Sequence, residues 1–433
     1  MQQSEKPRRA FLKTAAAAAA AAGVRPGYLA GSDVIRVGMI GAGGRCTEAA
    51  TQALNADDGA RLVAMADVVM DRLKAKRKLL KEKLPHQVEV DDDHCFAGFD
   101  AYKHVIASSD VVLIANAAKF HPMHMHAAIQ AGKHVFVEKP HAIDPAGIKV
   151  VEAACELARR KNLRVLSGLQ SRYTTAYRET IQRIRDGAIG EVVAIQEKFL
   201  RPPYVLYPRQ PGLTEVEWQG SNQYHFHWLS GDDVPQSLVH NLDRASWVLR
   251  GQAPIKCHGM GGRSTLRGEI YGSVFDHHAV IYEFPNGVPV YAYCRTIPNC
   301  YNETSSVVLG TKGRAEILKG RIEGENKWQY AGPSMYVSSL TNPYQIEHNE
   351  LFKAIRSGKP LNSGDFMARS TMIGIMGQIS CYTGKEVTWE QASASDFYFP
   401  PKPEDVRPDI EPPVKPDAEG IYPVYIPGVT KLI

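Results

Sequence analysis

Val34-Ile-Arg-Val-Gly-Met-Ile40 runs directly into Gly41-Ala-Gly-Gly-Arg-Cys46. The first stretch is a short apolar strand and the second a glycine-rich turn. Residues 46–55 read as a helix, and Leu62-Val-Ala-Met-Ala66 is a second strand that ends in Asp67. Strand, glycine turn, helix and an acid-terminated strand make the unit that binds a dinucleotide. Gly41 permits the tight turn, and Gly43 lets backbone N–H groups approach a pyrophosphate. The helix N-terminus behind them attracts its charge. Gly44 and Arg45 complete the turn. Asp67 can accept hydrogen bonds from the adenosine ribose hydroxyls and repels a 2′-phosphate, which favours NAD over NADP. Cys46 stands where a third glycine is usual and is small enough to keep helix and strand close.

The alternation continues outward from this unit. Residues 69–83 form a charged helix, 110–115 a buried strand, 122–131 a helix and His134-Val-Phe-Val-Glu138 another strand. Asp144 and Pro145 supply an N-cap and a first-turn proline for a helix reaching about Lys161. A further strand occupies 164–168. Such runs predict a doubly wound parallel sheet. Alternating stretches at 192–199, 255–262, 274–284, 288–295 and 305–317 then read as strands, with helices near 345–356 and 367–382. The expected organisation is a leader at 1–31, a Rossmann domain at 32–168, a second α/β domain at 169–396 and a proline-rich tail at 397–433 that wraps the surface or mediates assembly.

Of the 433 residues, 44% are hydrophobic and 22% charged, which excludes a disordered or collagen-like chain. The net charge of +5 is concentrated at the start, where Lys6, Arg8, Arg9, Lys13 and Arg25 face one acid, Glu5. The body is close to neutral and carries no electrostatic footprint for nucleic acid. No apolar run is long enough for a membrane span, so no integral membrane domain is expected. Seven cysteines without a Cys-x-x-Cys exclude a zinc ribbon and a complete disulfide framework, leaving a single bridge such as Cys294 with Cys300 to be considered.

Arg8 and Arg9 are followed by Ala10-Phe-Leu-Lys13, Thr14 and eight alanines. This layout resembles a twin-arginine export signal. It implies engagement of the twin-arginine export machinery and a periplasmic or cell-envelope location. Free nicotinamide cofactor is scarce there, so an exported enzyme must hold its dinucleotide tightly.

Gly132-Lys-His-Val-Phe-Val-Glu-Lys-Pro140 carries the chemistry. A lysine at the carboxyl end of a parallel strand points into the dinucleotide crevice. There Lys139 can bond a substrate hydroxyl and stabilise the alkoxide that develops; Glu138 is assigned to the nicotinamide ribose. With Arg172 and Tyr173 in Gly168-Leu-Gln-Ser-Arg-Tyr, Asp186-Gly-Ala-Ile-Gly-Glu191 and Val239-His-Asn-Leu-Asp243, the sequence resembles the glucose–fructose oxidoreductase/inositol dehydrogenase (Gfo/Idh/MocA) family over roughly 34–392. The resemblance implies a Rossmann domain followed by an α/β domain on a large, mostly antiparallel open sheet. It makes His240 the general acid/base and places His121 near the nicotinamide ribose. A homo-oligomer is also expected.

Two departures from the family pattern matter. Gln236 occupies a position where an acid is common, so it can orient substrate but cannot take a proton. His240 and Lys139 must then handle proton transfer alone. Asn116-Ala117 replaces a usual Thr-Pro, with Asn116 still able to bond the cofactor. Tyr224-His-Phe-His-Trp228 is read as the wall of a polar, aromatic pocket suited to sugars. Arg172, Tyr173, Tyr224, Gln236 and Asp243 are the expected substrate-side residues. Among the histidines at 121, 124 and 126, His124 and His126 lie two apart on a predicted helix and face different ways, and no metal site is expected. The reading is an exported oxidoreductase acting on a sugar, polyol or glycoside through tightly bound NAD. A redox-neutral NAD-dependent glycosidase and a non-enzymatic sugar-binding protein are its alternatives.

Overall fold

The structure, a computed structural model, describes residues 33–264 and 271–433. The export segment read at 1–31 lies outside the described residues.

Six parallel strands form the first sheet: β1 (Ile35–Ile40), β2 (Ala60–Asp67), β3 (Cys95–Ala97), β4 (Val111–Ile114), β5 (His134–Val137) and β6 (Val165–Ser167), in the order β3-β2-β1-β4-β5-β6. All four residues of β4 and of β5 are buried, as expected of strands covered by helices on both faces. The helix Pro145–Arg160 shows how the cover forms. Asp144 accepts from the Gly147 N–H at 2.8 Å, Pro145 opens the first turn, and Ile148, Val151, Cys155 and Ala158 fall on one buried stripe. The strand order reverses between β1 and β4. A crevice therefore opens at their carboxyl ends, where Asp67 closes β2 and Gly41, Asn116 and Lys139 lie just beyond β1, β4 and β5.

A second sheet of nine strands comprises β7 (Val192–Leu200), β8 (Lys256–Gly262), β9 (His277–Glu283), β10 (Pro289–Arg295), β11 (Glu303–Gly310), β12 (Gly313–Glu316), β13 (Arg321–Gly324), β14 (Trp328–Gln329) and β15 (Val387–Thr388). Their order is β14-β13-β12-β11-β7-β10-β9-β8-β15, antiparallel throughout except for β10 beside β7. The single run expected at 305–317 is a hairpin turning at Thr311 and Lys312. A side chain on Gly310 would meet the Ile189 carbonyl at 2.2 Å, so close backbone packing sets the glycine there.

The helix Gly364–Thr383 is buried along nearly its whole length, packed against β8, the helix Pro145–Arg160 and residues 234–248. No helix among the described residues is long and apolar enough to cross a membrane. The tail folds back on its own chain: Phe399 and Tyr422 are fully buried, and Tyr422 donates to Glu215 at 2.7 Å. All seven cysteines are free thiols. The bridge considered for Cys294 does not form, because its sulfur is buried 3.5 Å from His278 Nδ1 while Cys300 lies in the loop beyond β10.

Candidate active site

The glycine turn is built as its spacing requires. Gly41 has φ +99°, and a Cβ there would lie 3.0 Å from the Ala115 carbonyl and the Asn116 backbone. Gly43 and Gly44 open onto empty space instead. The helix Gly44–Ala56 starts at this point. Asp67 at the end of β2 turns back to the loop, accepting from the Ala42 N–H at 2.6 Å and the Val69 N–H at 3.0 Å. Arg72 Nη1 lies 3.4 Å from the same carboxylate. These residues line a cavity of about 510 Å³, and Tyr204, Tyr207 and Tyr224 form its opposite wall.

Glu138 and Lys139 follow β5. Arg45 bonds Glu138 Oε1 at 2.5 Å, and the Lys139 N–H donates to Oε2 at 3.1 Å. Gly168 makes room for this carboxylate, since a Cβ there would fall 2.7–2.9 Å from its atoms. Arg45 is held from behind by Gln52 at 3.0 Å and by Glu347, 3.6 Å away, beneath the ring of Tyr344. Burial and the neighbouring Glu138 push the Glu347 carboxyl up, against the pull of Arg45.

The Lys139 ammonium donates to the main-chain carbonyl of Gln236 at 3.0 Å. That carbonyl belongs to a wide π-type turn, Val234–Leu238, in which Pro235 removes a backbone donor. The helix Val239–Val248 follows and carries His240. Its Nδ1 is buried and has no hydrogen-bond partner. Burial first, then the charges of Lys139 and Arg244, hold this imidazole well below its ordinary range, so it is neutral and able to accept a proton.

His121 spans Pro140 and Asn116, with Nδ1 2.8 Å and Nε2 3.0 Å from their carbonyls, and burial lowers its pKa. It therefore ties the ends of β4 and β5 together. Asn116 lines the cavity with a buried, unpartnered Oδ1. His124 stacks on Tyr102 at 4.2 Å, and burial takes it down to about 3. No group of three or more His, Cys, Asp or Glu among the described residues is arranged to hold a metal.

Three expected substrate-side residues are placed elsewhere. Asp243 is fully buried and engages Arg172 through two nitrogens, with Arg172 Nη2 at 2.8 Å, and accepts from Ser370 at 2.7 Å. The Arg172 guanidinium also lies 3.9 Å from the centre of the Phe366 ring. Both are thus occupied in an internal pair. Tyr173 is buried among Phe136, Leu351 and Ile355 beneath the parallel sheet. Of the 224–228 stretch, only Tyr224 lines the cavity. Phe226 and Trp228 are core residues, and His227 bonds Ser273 Oγ at 2.8 Å. Arg72, Arg201, Tyr204, Tyr207 and Glu347 escaped the sequence reading. For Arg72 a signal existed, a cation five residues after the strand-end acid.

The residues present fit a nicotinamide dinucleotide. A glycine cradle that side chains would fill, a helix N-terminus behind it, a strand-end acid and an orphaned Asn116 oxygen all face one cavity.

Residues 35–169 match the oxidoreductase family with an NAD-binding Rossmann fold, and residues 177–316 match the GFO/IDH/MocA C-terminal domain. An inositol 2-dehydrogenase/D-chiro-inositol 3-dehydrogenase from Halalkalibacterium halodurans is 32% identical over 50% of this chain and 53% of its own. The chain thus spans about half the length of several curated relatives it matches. A myo-inositol 2-dehydrogenase from Thermotoga maritima is 28% identical over 82% of this chain and 99% of its own. Among solved structures, an aldose-aldose oxidoreductase from Caulobacter crescentus shares the fold with a TM-score of 0.62 at 19% identity, over 82% of this chain and 99% of its own. With both domains matched in order, the chain belongs to the Gfo/Idh/MocA family of NAD-binding oxidoreductases.

Proposed function

We propose that this chain is a nicotinamide-dependent oxidoreductase that acts on a carbon bearing a hydroxyl in a sugar, polyol or glycoside. The observation that carries this reading is the placement of Lys139 after β5, fixed on the carbonyl of Gln236 in the turn that leads directly into the helix carrying His240. The inositol dehydrogenase relatives support a cyclic, polyhydroxylated substrate.

One N–H of the Lys139 ammonium rests on Gln236, leaving two to point elsewhere. A substrate hydroxyl bonded to one of them has its oxygen stabilised as negative charge grows. His240 takes the hydroxyl proton at an imidazole nitrogen and returns it in the reverse direction. Gln236 has no proton to exchange, so these two residues carry the whole transfer. A dinucleotide held by the glycine turn, Asp67 and Asn116 would supply the hydride acceptor or donor for the adjacent C–H bond.

NAD is the preferred cofactor in this proposal, because Asp67 closes β2 where a 2′-phosphate would meet its charge. Export by the twin-arginine route to the periplasm or envelope is also proposed, on the strength of Arg8, Arg9 and the alanine tract. So is a homo-oligomer, which the exposed apolar residues Val193, Met260 and Leu309 on the second sheet support. The test is to denature the purified protein and assay the released nicotinamide, then offer inositols, aldoses and glycosides to intact protein. One dinucleotide per chain and reduction by a polyol support the reading. Release of free sugar without net ketone shifts it to redox-neutral cleavage, and no bound or binding dinucleotide ends it.

A further inference from the structure

The cavity has two walls from distant parts of the chain. One is the glycine turn with Asp67 and Asn116; the other is Tyr204, Tyr207 and Tyr224, from a stretch between β7 and the helix His227–Ser230. Residues 201–213 of that stretch contain no helix or strand, yet they are pinned at both ends of the cleft.

At one end Tyr204 is gripped from three sides. The Arg201 guanidinium lies 3.6 Å from its ring centre, the Tyr224 ring stacks on it at 4.0 Å with 19° between planes, and its hydroxyl is 3.2 Å from Ser237 Oγ. Arg201 is itself held by Asp233 at 2.7 Å and by Ser237 at 3.1 Å. Ser237 follows Gln236, whose carbonyl holds Lys139, so this anchor shares the turn that positions the lysine.

At the other end the Tyr207 backbone is fixed. Its N–H donates to Asn222 Oδ1 at 2.7 Å, and its carbonyl accepts from Asn222 at 3.1 Å and Trp218 at 3.2 Å. Tyr207 is 52% exposed, and Val205 nearby is 75% exposed. Arg72 reaches over the Tyr207 ring at 5.7 Å while lying 3.4 Å from Asp67. It therefore links the two walls at the Asp67 end. A rigid backbone that presents two large apolar side chains to a cavity rim is arranged to cover something there.

We propose that residues 201–224 supply the second half of the dinucleotide site, and that their irregular part, residues 201–213, is a strap anchored at Tyr204 and Tyr207 that makes the cofactor a retained prosthetic group rather than an exchanging cosubstrate. This rests on the dinucleotide reading of the cleft. Release of the cofactor then requires the strap to lift, and loss of either tyrosine ring speeds it.

The test is the release rate of NADH from loaded, full-length protein, followed as the decay of bound-NADH fluorescence after a large excess of NAD is added. Tyr204→Ala and Tyr207→Ala should each release NADH about tenfold faster than the parent, the loss expected of one aromatic contact. Tyr204→Phe keeps the stack and the Arg201 contact and should stay within about threefold. Because Tyr207 is half exposed, Tyr207→Ala decides the matter if Tyr204→Ala does not fold. Release at the parent rate from the alanine variants overturns the strap while leaving the cofactor reading intact. A parent protein that binds no NADH removes both.

Discussion

The Lys139 ammonium and the Gln236 carbonyl, 97 residues apart in sequence, meet at 3.0 Å and join the end of the parallel sheet to the turn that launches the His240 helix. The anchor is main chain, so it survives a change of the Gln236 side chain. Gln236→Ala should raise KM for the sugar or polyol with kcat within about threefold, whereas Lys139→Met should lower kcat by roughly 10²–10⁴-fold. Steady-state kinetics on the two variants checks the split.

On the proposed function, His240 sets the pH dependence of oxidation. Burial and the nearby cations depress its pKa well below the ordinary histidine value, and the imidazole must be neutral to accept the hydroxyl proton. Activity lost through its protonation therefore appears only well below about pH 6.5. The pH profile of kcat/KM should be flat through neutrality on its acid side, and His240→Asn should abolish most of the rate. An acid limb centred near neutrality that persists in the variant points to another group.

Arg172 and Asp243 form a buried pair, so their loss should be felt as instability rather than altered substrate choice. Removing one partner leaves an uncompensated charge, which costs about 3–5 kcal/mol. Asp243→Ala should lower the denaturant midpoint strongly. A fully stable Asp243→Ala protein with a selectively raised KM would restore the substrate-binding role first expected for it.

Eight enclosed histidines, His121, His124, His134, His141, His225, His227, His240 and His348, have depressed pKa values, with burial the largest cause throughout. Below about pH 6.5 the unfolded chain takes up protons that the folded chain refuses. Stability is thus complete above that pH and lost as pH falls, at about 1.4 kcal/mol per unit for each histidine not yet protonated in the fold. Burial raises the Glu197 carboxyl to about 7, and it lifts Asp144 and Glu347 as well; these groups act in the opposite sense. The histidines outnumber them, so the urea midpoint should drop steeply between about pH 6.5 and pH 5. An unchanged midpoint across that window contradicts the burial pattern.

Five of the six parallel strands were legible, because each is a short apolar run ended by a glycine, an acid, an asparagine or a lysine with a physical task; β3 (Cys95–Ala97), three residues long, was not. Lys139 could be placed from its strand end alone. The second wall was not legible, because Pro202 and Pro203 interrupt the alternation and Tyr204 gains its role only by meeting Arg201, Tyr224 and Ser237 in space. Arg172 and Asp243 show a different failure. Matching motifs marked both residues, yet nothing in a linear pattern tells whether two opposite charges face a ligand or each other. The hairpin at Thr311 was hidden for a third reason, since two short strands joined by a tight turn read in the sequence as one continuous run.

On the proposed function, hydride moves between a hydroxyl-bearing carbon and nicotinamide beside Lys139. The most direct measurement is mass spectrometry of the dinucleotide released after incubation with inositols and aldoses deuterated at their hydroxyl-bearing carbons. The account predicts one deuterium on the nicotinamide recovered from the parent protein and almost none from Lys139→Met. A parent protein that retains its dinucleotide but returns it unlabelled across the whole panel would contradict it.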